Sequence, residues 1–229
     1  AQVRGTLVHA CLEDMHLWER PERTYPAVVK RLRPNWADMC GEDPSLLELV
    51  PEGEVYEFLV GCRSLLKGYF LMENPQGFDA LACEKFVDAV LPNGVPVRGF
   101  IDRVDVAPTG EVRVVDYKTG KKPLPRYSGQ AKFQMRFYAL VWWRTQGVIP
   151  HQLRLMYLKV ADSLYLAPSR EELEFFERDL GDLWGKILGD ISAGVFRAKT
   201  SKFVGGARIN GCAQCLGVLP HHSLGWSKA

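Results

Sequence analysis

One segment constrains this chain more than any other: GFIDRVDVAPTGEVRVVDYKTG, residues 99–120. It reads as two β-strands joined by a tight turn. The first run, Val97 to Val106, is rich in β-branched and apolar residues, Pro108-Thr109-Gly110 supplies turn chemistry, and Val112 to Lys118 alternates again. Residues two apart on a strand share a face. Asp116 and Lys118 therefore project together, and a paired strand can bring Asp102 beside them. The apolar run Val112, Val114, Val115 leads straight into Asp116. That pattern sets the charges at the end of a buried strand rather than on a solvated hairpin.

Two carboxylates and an ammonium at one end of a hairpin suit a hard cation and a phosphate. Mg²⁺ prefers oxygen ligands, keeps several waters and is usually held by one or two carboxylates plus phosphate oxygens. A bound divalent ion lowers the pKa of its water and neutralises phosphate charge. A lysine beside it can serve the attacking water or the charge of the transition state.

The remaining pattern gives an order of elements. Gly5 to Trp18 reads as a helix with Val8, Leu12 and Met15 inward. Tyr25 to Cys40 reads as a second helix, broken or kinked near Pro34. Pro44 to Val50 reads as a short helix, and Glu54 to Met72 as a strong one with Phe58, Cys62, Leu65, Leu66 and Tyr69 at helical spacing. Strands follow at about 81–91, 96–107 and 112–118, with Asn93-Gly94 as a hairpin signal. A helix carrying Gln134 runs to Gln146, Leu153 to Val160 and Leu164 to Ala167 read as strands, and Ser169-x-x-Glu172 is a capping box opening a long helix that ends near Gly194.

The pattern G-x-I-D-R-x-D, a turn, then V-x-D-Y-K-T-G resembles the catalytic core of the PD-(D/E)xK nuclease superfamily, in its RecB-like exonuclease branch. That branch includes the nuclease domains of RecB and AddB and the CRISPR-associated adaptation nucleases. The resemblance implies an α/β, restriction-endonuclease-like core: a central mixed sheet flanked by helices, with a helical N-terminal region. On this reading residues 1–202 are the nuclease domain, helical over residues 1–75 and with its catalytic core over 76–202, and residues 203–229 are an irregular C-terminal tail. Gly5-Thr6-Leu7-Val8-His9 fits the branch's G-x-x-x-H helix, so the resemblance gives His9 a metal-ligand role beside Asp102 and Asp116. A partly buried helix histidine is the bland alternative. Glu84 resembles the acidic residue that precedes the hairpin and lines the site, although a solvated strand glutamate reads as well. Gln134 and Tyr138, four apart on one helix face, resemble the branch's Gln-x-x-x-Tyr helix, which borders the site and contacts substrate.

The implied activity is metal-dependent hydrolysis of DNA phosphodiesters, with Mg²⁺ or Mn²⁺ as cofactor. The resemblance also implies exonucleolytic attack on single-stranded ends in repair or recombination, with a helicase or repair-complex partner. Asp102, Asp116 and Lys118 are the expected catalytic residues, with Tyr117 as a further lining residue. A non-catalytic DNA-binding or scaffold module of a helicase–nuclease complex, or an inactive fragment, is the alternative. The intact aspartates and lysine argue against that alternative, whereas the short N-terminus and odd C-terminus argue for it. Many members of the branch also hold a [4Fe-4S] cluster on a terminal C-x-x-C, a further cysteine and one near the N-terminus. Here Cys212 and Cys215 form a C-x-x-C, no cysteine follows, and Cys11 falls after the histidine motif. A complete cluster is not expected, and His221-His222 is poor spacing for a zinc cage with the two cysteines.

Charge distribution says more than the formal net charge of +2. From Tyr117 to Ala161 there is no Asp or Glu, while Lys118, Lys121, Lys122, Arg126, Lys132, Arg136, Arg144, Arg154 and Lys159 all lie there. Such a run attracts a polyphosphate backbone. Lys121, Lys122, Arg126 and Lys132, with Gln134 and Tyr138, are the expected DNA contacts, and Tyr117, Tyr127 and Tyr138 the expected base-stacking aromatics. The acidic stretch from Asp38 to Glu57 is expected to face away from substrate. No apolar run is long enough to cross a bilayer, and no signal peptide is evident. Four cysteines in apolar surroundings fit free thiols in a cytoplasmic, reducing compartment.

Overall fold

The computed structural model describes residues 2–124 and 129–194. Its sheet is built outward from the hairpin of residues 99–120. Strands β1 (Ala80–Val90), β2 (Pro96–Val106) and β3 (Val112–Lys118) pair antiparallel in sequence order. Helix α5 (Gly129–Gln146) then crosses over, so that β4 (Gln152–Tyr157) lies parallel to β3. Strand β5 (Asp162–Leu166) returns antiparallel to β4. The result is a five-stranded mixed sheet in the order β1-β2-β3-β4-β5. Four helices precede it: α1 (Gln2–Leu17), α2 (Tyr25–Glu42), the single turn α3 (Leu46–Leu49) and α4 (Val55–Met72). Among the described residues one follows it, α6 (Arg170–Ala193).

The central strands are buried on both faces, which is why β3 and β4 read as near-continuous apolar runs. On one face Val104, Val114, Leu153 and Leu155 pack with Met135, Leu140 and Val141 of α5 and Leu173, Phe176 and Leu180 of α6. On the other, Val115, Tyr117 and Met156 pack with Leu7, Val8 and Leu12 of α1, Trp36 of α2 and Leu65, Leu66 and Tyr69 of α4. A Cβ at Gly68 would fall 1.8 Å from the Leu158 carbonyl oxygen. Only glycine lets α4 come that close to the end of β4.

Local signals were realised where the chemistry is specific. Gly94 turns at φ +82, and the Leu91 amide closes the β1–β2 connection on the Val95 carbonyl at 2.9 Å. Ser169 and Glu172 make the reciprocal capping box, Glu172 N–H to Ser169 Oγ at 3.1 Å and Ser169 N–H to Glu172 Oε2 at 3.2 Å. Two expectations need correction. Of the break or kink expected near Pro34, the break is absent, since helix α2 runs on to Glu42. Pro34 and Lys30, whose carbonyl loses its partner, are exposed, so water can satisfy that carbonyl, while Val28, Leu32, Asn35 and Trp36 anchor the buried side. Strand β4 stops at Tyr157 rather than Val160, because a turn with Ala161 at φ +48 redirects the chain into β5.

Among the described residues no helix is long and apolar enough to cross a membrane. Cys11, Cys40, Cys62 and Cys83 are free, and burial pushes the thiols of Cys11 and Cys83 up to about 12 and that of Cys62 to about 11.

Candidate active site

The site forms where α1 meets the middle of β1 and β2 and the last residues of β3. A Cβ at Gly5 would stand 3.2 Å from Thr119 Oγ1, so the first turn of α1 lies directly on the residue that follows Lys118. One turn later His9 reaches the same place. Its Nε2 is 3.0 Å from the Tyr117 carbonyl oxygen. Its Nδ1 is 3.8 Å from Glu84 Oε1 and 3.7 Å from Asp102 Oδ2.

Both outer strands depart from regular geometry here. The β2–β3 ladder ends at the Arg103–Val115 pair, and beyond it the Tyr117 amide donates to Asp102 Oδ2 at 2.7 Å. A side-chain carboxylate has replaced strand backbone as the acceptor. Glu84 lies between the Cys83–Arg103 and Lys85–Ile101 pairs, opposite Asp102, and has φ +43. A non-glycine residue in that region costs about 1–2 kcal/mol. Such strain persists where the surroundings enforce it, and it clusters at functional sites. The outcome is that ligand atoms of His9, Glu84 and Asp102 lie within 4.8 Å of one another.

Asp116 and Lys118 sit beside this triplet, two apart on β3 as the alternation requires. Lys118 Nζ is 2.7 Å from Asp116 Oδ2 and donates to Gln134 Oε1 at 2.6 Å. Gln134 Nε2 in turn donates to the Tyr138 hydroxyl at 2.9 Å. The Gln-x-x-x-Tyr face of α5 thus fixes the lysine from the far side.

The electrostatics of this cluster are unsatisfied. Burial, then the Asp116 charge, push Asp102 up to about 7, against the pull of His9 and the Tyr117 amide. Burial also raises Asp116, although Lys118 opposes it. For His9 burial works against protonation, but Glu84, Asp102 and Asp116 together outweigh it and raise the imidazole. Three carboxylates, an imidazole and a backbone carbonyl converge with one lysine to balance them. This oxygen-rich donor set fits Mg²⁺ or Mn²⁺.

The reverse side of the same strands carries a second set of charges that sequence reasoning left unassigned. Arg103, adjacent to Asp102, is 0% exposed. It forms an ion pair with Glu73 at the end of α4, lies 2.9 Å from Asp105 Oδ1, and donates to the Tyr117 hydroxyl at 2.8 Å. Glu73 also receives Arg154 at 2.6 Å, and Asp105 receives Arg113 at 2.8 Å. Burial alone would raise Glu73, yet Arg103, Tyr69 and Arg154 hold it down to about 2. His16, 3.3 Å from Arg103 Nη1, is driven to about 3 by burial and that guanidinium, so it is neutral. The Arg and second Asp of the I-D-R-x-D run were the available signal, since strand alternation sends them to the face opposite Asp102.

Other expected residues are placed variously. The Tyr117 ring is 4% exposed and packs between His9, Tyr69 and Arg103, so its backbone lines the site while its ring offers no stacking surface. Tyr138 is buried behind Gln134. Lys121 is exposed, Lys132 half-buried, and Lys122 is 2.5 Å from Asp162 Oδ2. The acid-free run is less cationic in space than in sequence. Arg144 pairs with Glu177, Arg154 with Glu73, and Arg136 lies 4.0 Å from Glu172, all acids from other elements. Arg126, Tyr127, Cys212, Cys215, His221, His222 and the tail 203–229 lie outside the described residues.

A family model of the PD-(D/E)XK nuclease superfamily matches residues 1–216, and the chain belongs to that superfamily. This membership supports a nuclease, a family that generally uses divalent metals and acts on DNA. The chain is also similar to the crystal structure of a "Putative exonuclease" from Eubacterium rectale, at 11% identity and a TM-score of 0.45, covering 79% of this chain and 82% of that one. No curated protein matches.

Proposed function

We propose that this chain is a Mg²⁺- or Mn²⁺-dependent deoxyribonuclease of the RecB-like branch, acting as an exonuclease on single-stranded ends in DNA repair or recombination. The observation that carries the reading is the convergence of His9, Glu84 and Asp102 within 4.8 Å, with Asp116 and Lys118 alongside. His9, Asp102 and Asp116 would hold the ion, with Glu84 and the Tyr117 carbonyl as further donors. A divalent ion bound there supplies charge neutralisation on the scissile phosphate and a lowered pKa for a coordinated water.

The chain's own residues do the rest. Lys118, held between Asp116 and Gln134, presents its ammonium to the attacking water and the phosphate oxygens. Asp102, fixed by the Tyr117 amide, would offer its carboxylate to the ion in a set orientation. Gln134 accepts a second bond from the Lys118 ammonium, which fixes its direction beside Asp116. Lys121 and Lys132 are the described cations best placed in sequence to meet the phosphate backbone. We take residues 1–202 as the nuclease domain, and the four free thiols fit a cytoplasmic setting.

Digestion of end-labelled single-stranded, duplex and end-blocked DNA, with and without Mn²⁺, tests this. Metal-dependent loss of label from free single-stranded ends is expected. Salt-sensitive DNA binding without cleavage would instead favour a non-catalytic binding module.

A further inference from the structure

The β1–β2 arm carries two phenylalanines that the core does not use. Phe86 and Phe100 are direct cross-strand partners, with ring centroids 5.0 Å apart and planes inclined at 45°. They are 49% and 54% exposed, whereas Val87, Val97 and Ile101 around them turn into the core. Each ring meets the other on one side and water on the other.

Their position along the arm is what matters. Glu84 and Asp102 oppose each other two residues away, a separation of roughly 7 Å on extended strands. On the other side comes the Asp88–Arg98 pair, with Arg98 Nη2 3.1 Å from Asp88 Oδ2 and largely in solvent. Lys85, next to Phe86, is exposed as well. Along the arm, a rung of metal-binding carboxylates is followed by a rung of aromatic rings and then by a rung carrying a guanidinium.

We propose that Phe86 and Phe100 are a base-stacking platform for single-stranded nucleic acid, seating a nucleobase next to the scissile phosphate. The proposal rests on the nuclease reading above. A phosphate gripped at the carboxylate rung brings its neighbouring base within reach of the rings, and Arg98, two residues from Phe100 and on its face, offers positive charge to the backbone beyond them. Stacking accepts any base, since every base has a π-face. Bases inside a duplex already have both faces covered, so this platform selects an unpaired strand.

The test is the double variant Phe86→Leu/Phe100→Leu, which keeps apolar bulk and removes the π-faces. Its KM for Mn²⁺-dependent cleavage of oligothymidylate is expected to rise about tenfold, since stacking contributes roughly 5- to 150-fold per base. Phe86→Trp/Phe100→Trp should restore it, and an abasic oligonucleotide should be bound equally by all forms. A second readout needs no cleavage: 2-aminopurine in a short single strand should be quenched by the Asp116→Asn protein and not when the two leucines are added. Unchanged KM and unchanged quenching in the leucine variant overturn the platform, as does an equal loss on the abasic strand. Wild-type protein that quenches but never cleaves would overturn the nuclease reading and support the platform. Cleavage without quenching would do the reverse.

Discussion

Strands β2 and β3 carry charges on both faces, and the two sets behave oppositely. Around Arg103, on the face that α1 and α4 cover, Glu73, Asp105, Arg154 and Arg113 pair with it or with one another, and Glu73 sits at about 2. Around His9, Glu84, Asp102 and Asp116 crowd together, and Asp102 is pushed up to about 7. The residues responsible are sequence neighbours: Asp102 beside Arg103, and Asp116 beside Tyr117. A buried ionic cluster that closes on itself is structure. One that leaves carboxylates repelling each other has the donor set that suits a cation.

The contrast can be broken at several points. The largest effect is expected at the open cluster: Lys118→Ala should slow cleavage by roughly 100- to 10,000-fold, and Asp116→Asn by at least as much, in single-turnover assays. Retained activity in either would remove the mechanism. Next, Arg103→Met should destabilise the fold by about 3–5 kcal/mol, because it leaves Glu73 and Asp105 buried without their main partner. Asp102→Asn should do the opposite and raise the melting temperature of metal-free protein. If both variants lose stability alike, the two faces are not different in kind.

Much of this contrast is legible in the sequence. Alternation from Val112 to Lys118 paired Asp116 with Lys118, and helical spacing put Gln134 above Tyr138. The sheet order around Asn93-Gly94 and the capping box at Ser169 also followed from local chemistry. What could not be read was set by long-range partners. Glu73 comes from the end of α4 to meet Arg103 and Arg154, and Glu177 comes from α6 to meet Arg144, so a linear count of cations overstated the basic surface. The left-handed backbone of Glu84 has no sequence signal, because glutamate has no preference for it. Alternation does tell that Tyr117 points away from Asp116, and applying it there would have excluded the ring as a stacking surface.

A third effect concerns pH and metal together. Asp102 holds its proton up to about 7 in the fold but releases it near 3.8 when unfolded. The folded form therefore binds more protons between those values, and metal-free stability falls as pH rises through that window. Metal must displace the same proton. Mn²⁺ at a hundredfold excess over its Kd should stabilise the protein by about 2.7 kcal/mol at pH 8, and markedly less at pH 5, in thermal melts. Equal shifts at both pH values would contradict the assignment of Asp102 as a ligand. The smallest effect is expected for Tyr117→Phe, which removes one bond from Arg103 while four other partners remain. A loss of about 1 kcal/mol is expected, in denaturant melts.

The central claim is that the cluster around His9 is a cation site and the cluster around Arg103 is not. It is tested most directly by titrating Mn²⁺ into the whole protein at pH 8 and counting bound ions by electron paramagnetic resonance. The account predicts a bound ion in wild type that disappears in Asp102→Asn while the variant remains folded. Undiminished Mn²⁺ binding in Asp102→Asn, or no binding in wild type, would contradict it.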